Sequence, residues 1–185
     1  AGQFIPPPDS LFVVTSTLAP GAASGGPDYS AKALALLFEG TNGSTTFTDS
    51  GASAATITAF NSATITTSTF AQGSASGNFI RSSGSYLSLG SLTALNFGTG
   101  DFRVSFRARF AVLPSAVPGV YTVIRGINSG SLEIRFTSAN AIGIVRPGVG
   151  NDYDTAPLSI ATNTWYEFGV SRTGTTITVE QDGVS

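Results

Sequence analysis

Phe102-Arg103-Val104-Ser105-Phe106-Arg107-Ala108-Arg109-Phe110 places an apolar side chain at every second position, with Arg or Ser between. Successive side chains of an extended chain point to opposite faces. The segment therefore reads as a strand with one oily face (Phe102, Val104, Phe106, Ala108, Phe110) and one polar face (Arg103, Ser105, Arg107, Arg109). A row of phenylalanines is stable only beneath a second layer. The spacing predicts a layered antiparallel all-β structure whose function sits on its solvent faces or loops.

The same alternation recurs outward from this segment. Leu132, Ile134 and Phe136 alternate with Glu133 and Arg135, residues 141–145 form another strand, and Tyr166, Phe168 and Val170 alternate with Glu167 and Ser171. Thr173-Gly174 turns the chain toward Ile177 and Val179, which alternate with Thr178 and Glu180. Residues 120–125 and 86–89 read as shorter strands. Two threonine-rich runs, 56–60 and 64–67, are β-prone but poor in core residues, as edge strands are. Ala-Thr-Ile-Thr occurs in both, at 55–58 and 63–66, and is read as a mutually pairing couple. The Asp182-Gly183 dipeptide is a strong hairpin signal. With only Val184 and Ser185 after it, the expectation is that the domain's closing strand comes from further sequence or from another chain.

Residues 1–31 have a different texture. Pro6-Pro7-Pro8, Pro20-Gly21 and Gly25-Gly26-Pro27 interrupt pairing and predict an extended docking arm ahead of a domain at 32–185. The apolar run Leu11, Phe12, Val13 and Val14 is costly to leave in water, so it packs either on its own domain or on a partner protein. Deleting an arm of this kind would leave the domain folded.

Composition narrows the chemistry. The 185 residues are 41% hydrophobic and 11% charged, with 13 phenylalanines and a net charge of -2, which suits one folded domain and gives no field to attract nucleic acid. No apolar stretch approaches the ~20 residues of a membrane helix, so no membrane insertion is expected. The chain has no cysteine and no histidine, which removes disulfides, thiolate chemistry, the commonest general base and the commonest transition-metal ligand.

In order and spacing, several segments together resemble the laminin-G-type, concanavalin A-like jelly roll found in bacteriophage and bacterial surface proteins. They are Leu36-Leu37-Phe38-Glu39-Gly40-Thr41-Asn42-Gly43, Phe47-Thr48-Asp49-Ser50, Tyr86-Leu87, Phe97-Gly98-Thr99-Gly100-Asp101-Phe102, Asn163-Thr164-Trp165-Tyr166, Arg172-Thr173-Gly174 and Asp182-Gly183. The resemblance covers about residues 33 to 185. It implies two antiparallel sheets of roughly six or seven strands packed face to face, further strands after Asp182-Gly183, and an extracellular or virion-surface location. The chain departs from the family pattern at Glu39, where Asp is usual, and at Arg81-Ser82-Ser83-Gly84-Ser85 before Tyr-Leu, which removes support for the calcium site of some relatives.

The glucanases of this fold use clustered acids at alternate strand positions, and no such triplet occurs here; a serine nucleophile would lack a histidine base. The expectation is a noncatalytic surface or virion structural and attachment module. It would assemble with other virion or surface proteins through its arm and bind a cell-surface polysaccharide. A free lectin is the alternative, and a glycosidase the less favoured one. No resident cofactor is expected. Calcium is the metal for which the Asn151-Asp152-Tyr153-Asp154 loop offers oxygen ligands, though two acids fall short of the six or more required. That loop, with Tyr86, is the candidate glycan contact, because an aromatic face beside planar polar groups suits sugar recognition. Arg103, Arg107 and Arg109 either grip an acidic partner or pair with outward Glu133, Glu167 and Glu180; the second reading is preferred because acids and bases are balanced.

Overall fold

The computed structural model describes residues 3–4, 10–13, 33–90, 100–125, 132–145 and 153–185, the first two segments as backbone only. The strands in chain order are β1 (Gln3–Phe4), β2 (Ser10–Val13), β3 (Thr58–Phe60), β4 (Thr64–Thr66), β5 (Ser76–Phe79), β6 (Tyr86–Ser88), β7 (Phe102–Phe110), β8 (Tyr121–Arg125), β9 (Glu133–Phe136), β10 (Ile142–Val145), β11 (Tyr153–Asp154), β12 (Trp165–Thr173) and β13 (Thr176–Gln181). Among the described residues the only helical turns are short 3-10 turns, at Arg81–Ser83 and Pro114–Ala116.

The strands form two antiparallel sheets, one ordered β11-β10-β9-β8-β1-β6-β3 and the other β13-β12-β7-β2-β5-β4. Their inner faces make a β-sandwich. Phe106 and Phe110 of β7 and Phe168 of β12 meet Phe136 of β9 across the gap, edge-on for Phe110 and Phe168 at 4.9 and 5.1 Å between ring centres. Phe38, Phe47 and Phe79 form a second aromatic group in the same core. Phe38 holds a left-handed φ of 57°, which costs a non-glycine residue about 1–3 kcal/mol, and burial of its ring against the other two offsets that cost.

Several expectations change. Residues 1–31 are not simply an arm leading to a partner: β1 lies between β6 and β8, and β2 between β5 and β7. Proline punctuation misleads here because a paired segment of two to four residues fits between breakers, and its hydrogen bonds go to distant strands rather than to its neighbours. Removing these strands would open both sheets in the middle, so the domain depends on them for its fold rather than folding without residues 1–31. Val14 lies outside the described residues, as do the side chains of Leu11, Phe12 and Val13.

The twin Ala-Thr-Ile-Thr segments do not pair with each other. β3 pairs with β6 and β4 with β5, so each edges a different sheet. Glu133 is not an outward, solvated residue either: it is 7% exposed, accepts a hydrogen bond from Thr122 Oγ1 at 3.1 Å and lies 3.5 Å from Arg125 Nε.

Candidate functional site

The two sheets end side by side at β11 and β13, and a groove of about 590 Å³ opens between these terminal strands. Tyr153 forms one wall. Its cross-strand partner is the buried Ile144, which puts the tyrosine on the core-facing side of β11, yet at the sheet's limit no further strand among the described residues covers the ring and it stays 48% exposed. Pro157 and Leu158 supply an apolar surface, with Val179 and Gln181 of β13 opposite. The Gln181 amide donates from Nε2 to Ser159 O at 3.0 Å, which leaves its carbonyl oxygen to accept. Asp182 and Val184 complete the far end.

Asp182 and Gly183 form the expected tight turn. Both have positive φ, 51° and 80°, and Gln181 and Val184 exchange backbone hydrogen bonds of 2.8 and 2.9 Å, the pattern of a primed two-residue hairpin. Asp182 Oδ1 also accepts from Glu167 N at 2.8 Å, which pins the turn to β12.

Asp154 lies elsewhere. Neighbouring strand residues face opposite ways, so it projects from the other face of β11 above Gly143; a Cβ on that glycine would stand 2.6 Å from Asp154 Oδ1. The anticipated rim is therefore divided between two faces, and Asn151 and Asp152 lie outside the described residues. Tyr86 belongs to β6, five strand spacings from β11 across the same sheet, or about 24 Å. It stacks on Phe60 at 4.7 Å and cannot share a ligand-sized site with Tyr153. The residues that sequence reading missed are Pro157, Leu158, Gln181 and the Asp182 carboxylate. Asp182 was visible only as a turn signal.

The arginine row is paired within the chain. Arg103 contacts Glu180 at 2.6 Å, Arg107 contacts Glu167 at 2.7 Å and Gln72 at 2.6 Å, and Arg109 donates to Asn163 O at 3.1 Å. Gly169 makes room for the first pair: a Cβ there would stand 3.0 Å from both Arg103 Nη2 and Glu180 Oε2. The hydrogen bond from Arg103 holds the Glu180 carboxyl below its ordinary range, with the guanidinium charge adding to the effect and partial desolvation opposing it. A depressed folded-state value stabilises the protein above the ordinary carboxylate range and loses that contribution as pH falls through the folded-state value. Arg103 is half exposed, so Arg103→Ala is expected to cost under about 1 kcal/mol at neutral pH, and the difference should vanish in acid. Urea midpoints of both proteins at pH 7 and pH 3 measure it.

Most other described carboxylates are similarly engaged. Glu39 accepts from Ser74 N and Oγ, Asp101 from Gly174 N at 2.7 Å, and Asp49 from three backbone amides. Asp154 alone makes no hydrogen bond or ion pair among the described residues. No group of three or more potential metal ligands occurs among them. No family model matches the chain, nor does any curated protein or solved structure.

Proposed function

We propose that this chain is a laminin-G-type, concanavalin A-like jelly roll serving as a noncatalytic attachment module of a virion or cell surface, and that the groove between β11 and β13 holds a glycan. The groove itself carries this reading. An exposed tyrosine, a proline and a leucine offer faces for the apolar side of a sugar ring, while the Gln181 carbonyl, the Ser159 hydroxyl and Asp182 can orient hydroxyl groups.

The disposition of the acids favours holding over turnover. Glycoside hydrolysis needs a pair of carboxyl groups flanking the scissile bond, one protonated and one ionised. In this protein the described carboxylates, Asp154 apart, are committed to arginines, hydroxyls or backbone amides of the scaffold. The jelly-roll assignment draws support from the strand order, in which segments distant in sequence lie side by side in both sheets.

A glycan array probed with the 185-residue chain tests the proposal. Saturable binding to a polysaccharide is expected, with Tyr153→Ala weakening it about tenfold through loss of stacking and contact area. Tyr86→Ala should leave it unchanged. Unaltered affinity in the Tyr153 variant, or release of reducing sugar from the bound polymer, would sink this reading.

A further inference from the structure

Asn42-Gly43 is the one place in the chain where glycine follows asparagine. This dipeptide carries chemistry of its own. With no side chain crowding it, the glycine nitrogen can attack the asparagine Cγ and close a five-membered ring.

The structure sets the dipeptide in an exposed turn. Ser44 N donates to Thr41 O at 3.0 Å and Gly43 has a φ of 79°, which makes residues 41–44 a type II turn with glycine at the position that demands it. The turn is clipped to β4, the terminal strand of the six-stranded sheet. Gly43 N donates to Ile65 O at 2.8 Å, Ile65 N donates to Ser44 O at 2.8 Å, and Thr67 N donates to Asn42 Oδ1 at 3.2 Å. The clip thus covers the edge of β4 that faces away from β5.

Each part of the clip opposes ring closure. The proton that the nucleophile must lose is bonded to Ile65 O, and the side-chain amide that it must reach is tied to Thr67 N. Backbone geometry adds a third obstacle. A type II turn gives the residue before its glycine a ψ of about +120°, whereas eclipsing Gly43 N with the Asn42 Cβ, as the ring requires, needs about −120° in an L-residue.

We propose that Asn42-Gly43 is a self-modification site which this clip keeps silent and which opening of the β4 edge releases. Once the turn is free, Gly43 N gives its proton to a base in solution and bonds to Asn42 Cγ, and the Cγ–Nδ2 bond breaks with loss of ammonia. Water then opens the succinimide at either carbonyl. Attack at Cγ leaves an ordinary aspartate, which still offers an oxygen to Thr67 N. Attack at the main-chain carbonyl leaves isoaspartate, whose backbone runs through Cγ and is longer by a methylene. The lengthened segment can no longer remake the turn and meet Ile65 in register, so a molecule modified while open stays uncovered along β4.

The nucleophile is the same N–H whose exchange with solvent reports the opening, and this makes the test internal. The protein is held at pH 8 in buffer and in concentrated urea, and peptide mapping by mass spectrometry follows conversion of Asn42 to aspartate and isoaspartate. Conversion in buffer should be at least about tenfold slower, because three hydrogen bonds must break first. Sub-denaturing urea should raise the conversion rate and the exchange rate of the Gly43 amide by the same factor. The purified isoaspartate form should unfold at lower urea than the parent. Freshly prepared Asn42→Asp, which carries the new charge on an ordinary backbone, should keep the parent's midpoint. Equal conversion rates in buffer and urea would overturn the proposal, as would fast conversion while the Gly43 amide remains protected, or an isoaspartate form as stable as the parent.

Discussion

Phe136→Ala is expected to lower the unfolding free energy by about 3–5 kcal/mol, a large share of the roughly 5–15 kcal/mol that holds a domain together. The ring is fully buried, and it is the side chain of the seven-stranded sheet that touches Phe106, Phe110 and Phe168 of the other. Truncation removes the edge-to-face contacts along with the buried area. It also leaves a void bounded by both sheets, which can close only if the sheets shift together. Guanidinium midpoints at constant slope measure the loss, and Phe60→Ala is the control. Phe60 is also aromatic and stacked, on Tyr86, but it sits 38% exposed at a sheet edge and should cost about 1 kcal/mol or less. Equal losses at the two positions would mean that the inter-sheet aromatic group is not the centre of stability.

Asp49→Ala should cost about 2–4 kcal/mol, although the residue is neither core nor part of any groove. Its Oδ1 accepts from Ala35 N at 2.9 Å and Gly51 N at 2.8 Å, and its Oδ2 from Ala55 N at 2.8 Å, so one carboxylate gathers three backbone amides from a stretch that contains no regular strand pairing. Ala35 is fully buried, and without Asp49 its amide loses its partner. Alanine leaves these donors competing for water. Asparagine keeps one accepting oxygen and should lose about half as much. Equal stability of the alanine and asparagine variants, read from urea midpoints, would show that solvent replaces the carboxylate without penalty.

Legibility in the sequence followed the length of the alternating pattern. β7, β12 and β13 could be read directly because each carries enough period-two residues to declare a face, and pairing of the outward arginines with outward glutamates followed from the same alternation, whereas which arginine meets which acid is set by the register of β7, β12 and β13. β1 and β2 were obscured because their pairing is decided by β5, β6, β7 and β8, far along the chain, while their flanking prolines argue locally against any strand. The twin Ala-Thr-Ile-Thr segments show the same limit: Ile65 is buried in β4 and Ile57 precedes β3, so identical tetrapeptides take different positions in different sheets. The groove was half visible. Tyr153 stood out as an aromatic between acids, but the segments 155–159 and 179–185 meet only because two sheets end together, and no spacing in one dimension encodes that.

The central position of β1 and β2 bears on how the protein is made. Residues 3–13 leave the ribosome before all four of the strands that flank them, so each of the two strands must wait for its neighbours, the last of them ending at Arg125. β2 therefore waits for β7, and β1 for β8, and neither sheet closes before those later strands have emerged. Folding of this kind is slow, because long loops must be closed before any distant pair can reward the loss of chain freedom. During that interval a nascent-chain chaperone would find its target in β1 and β2.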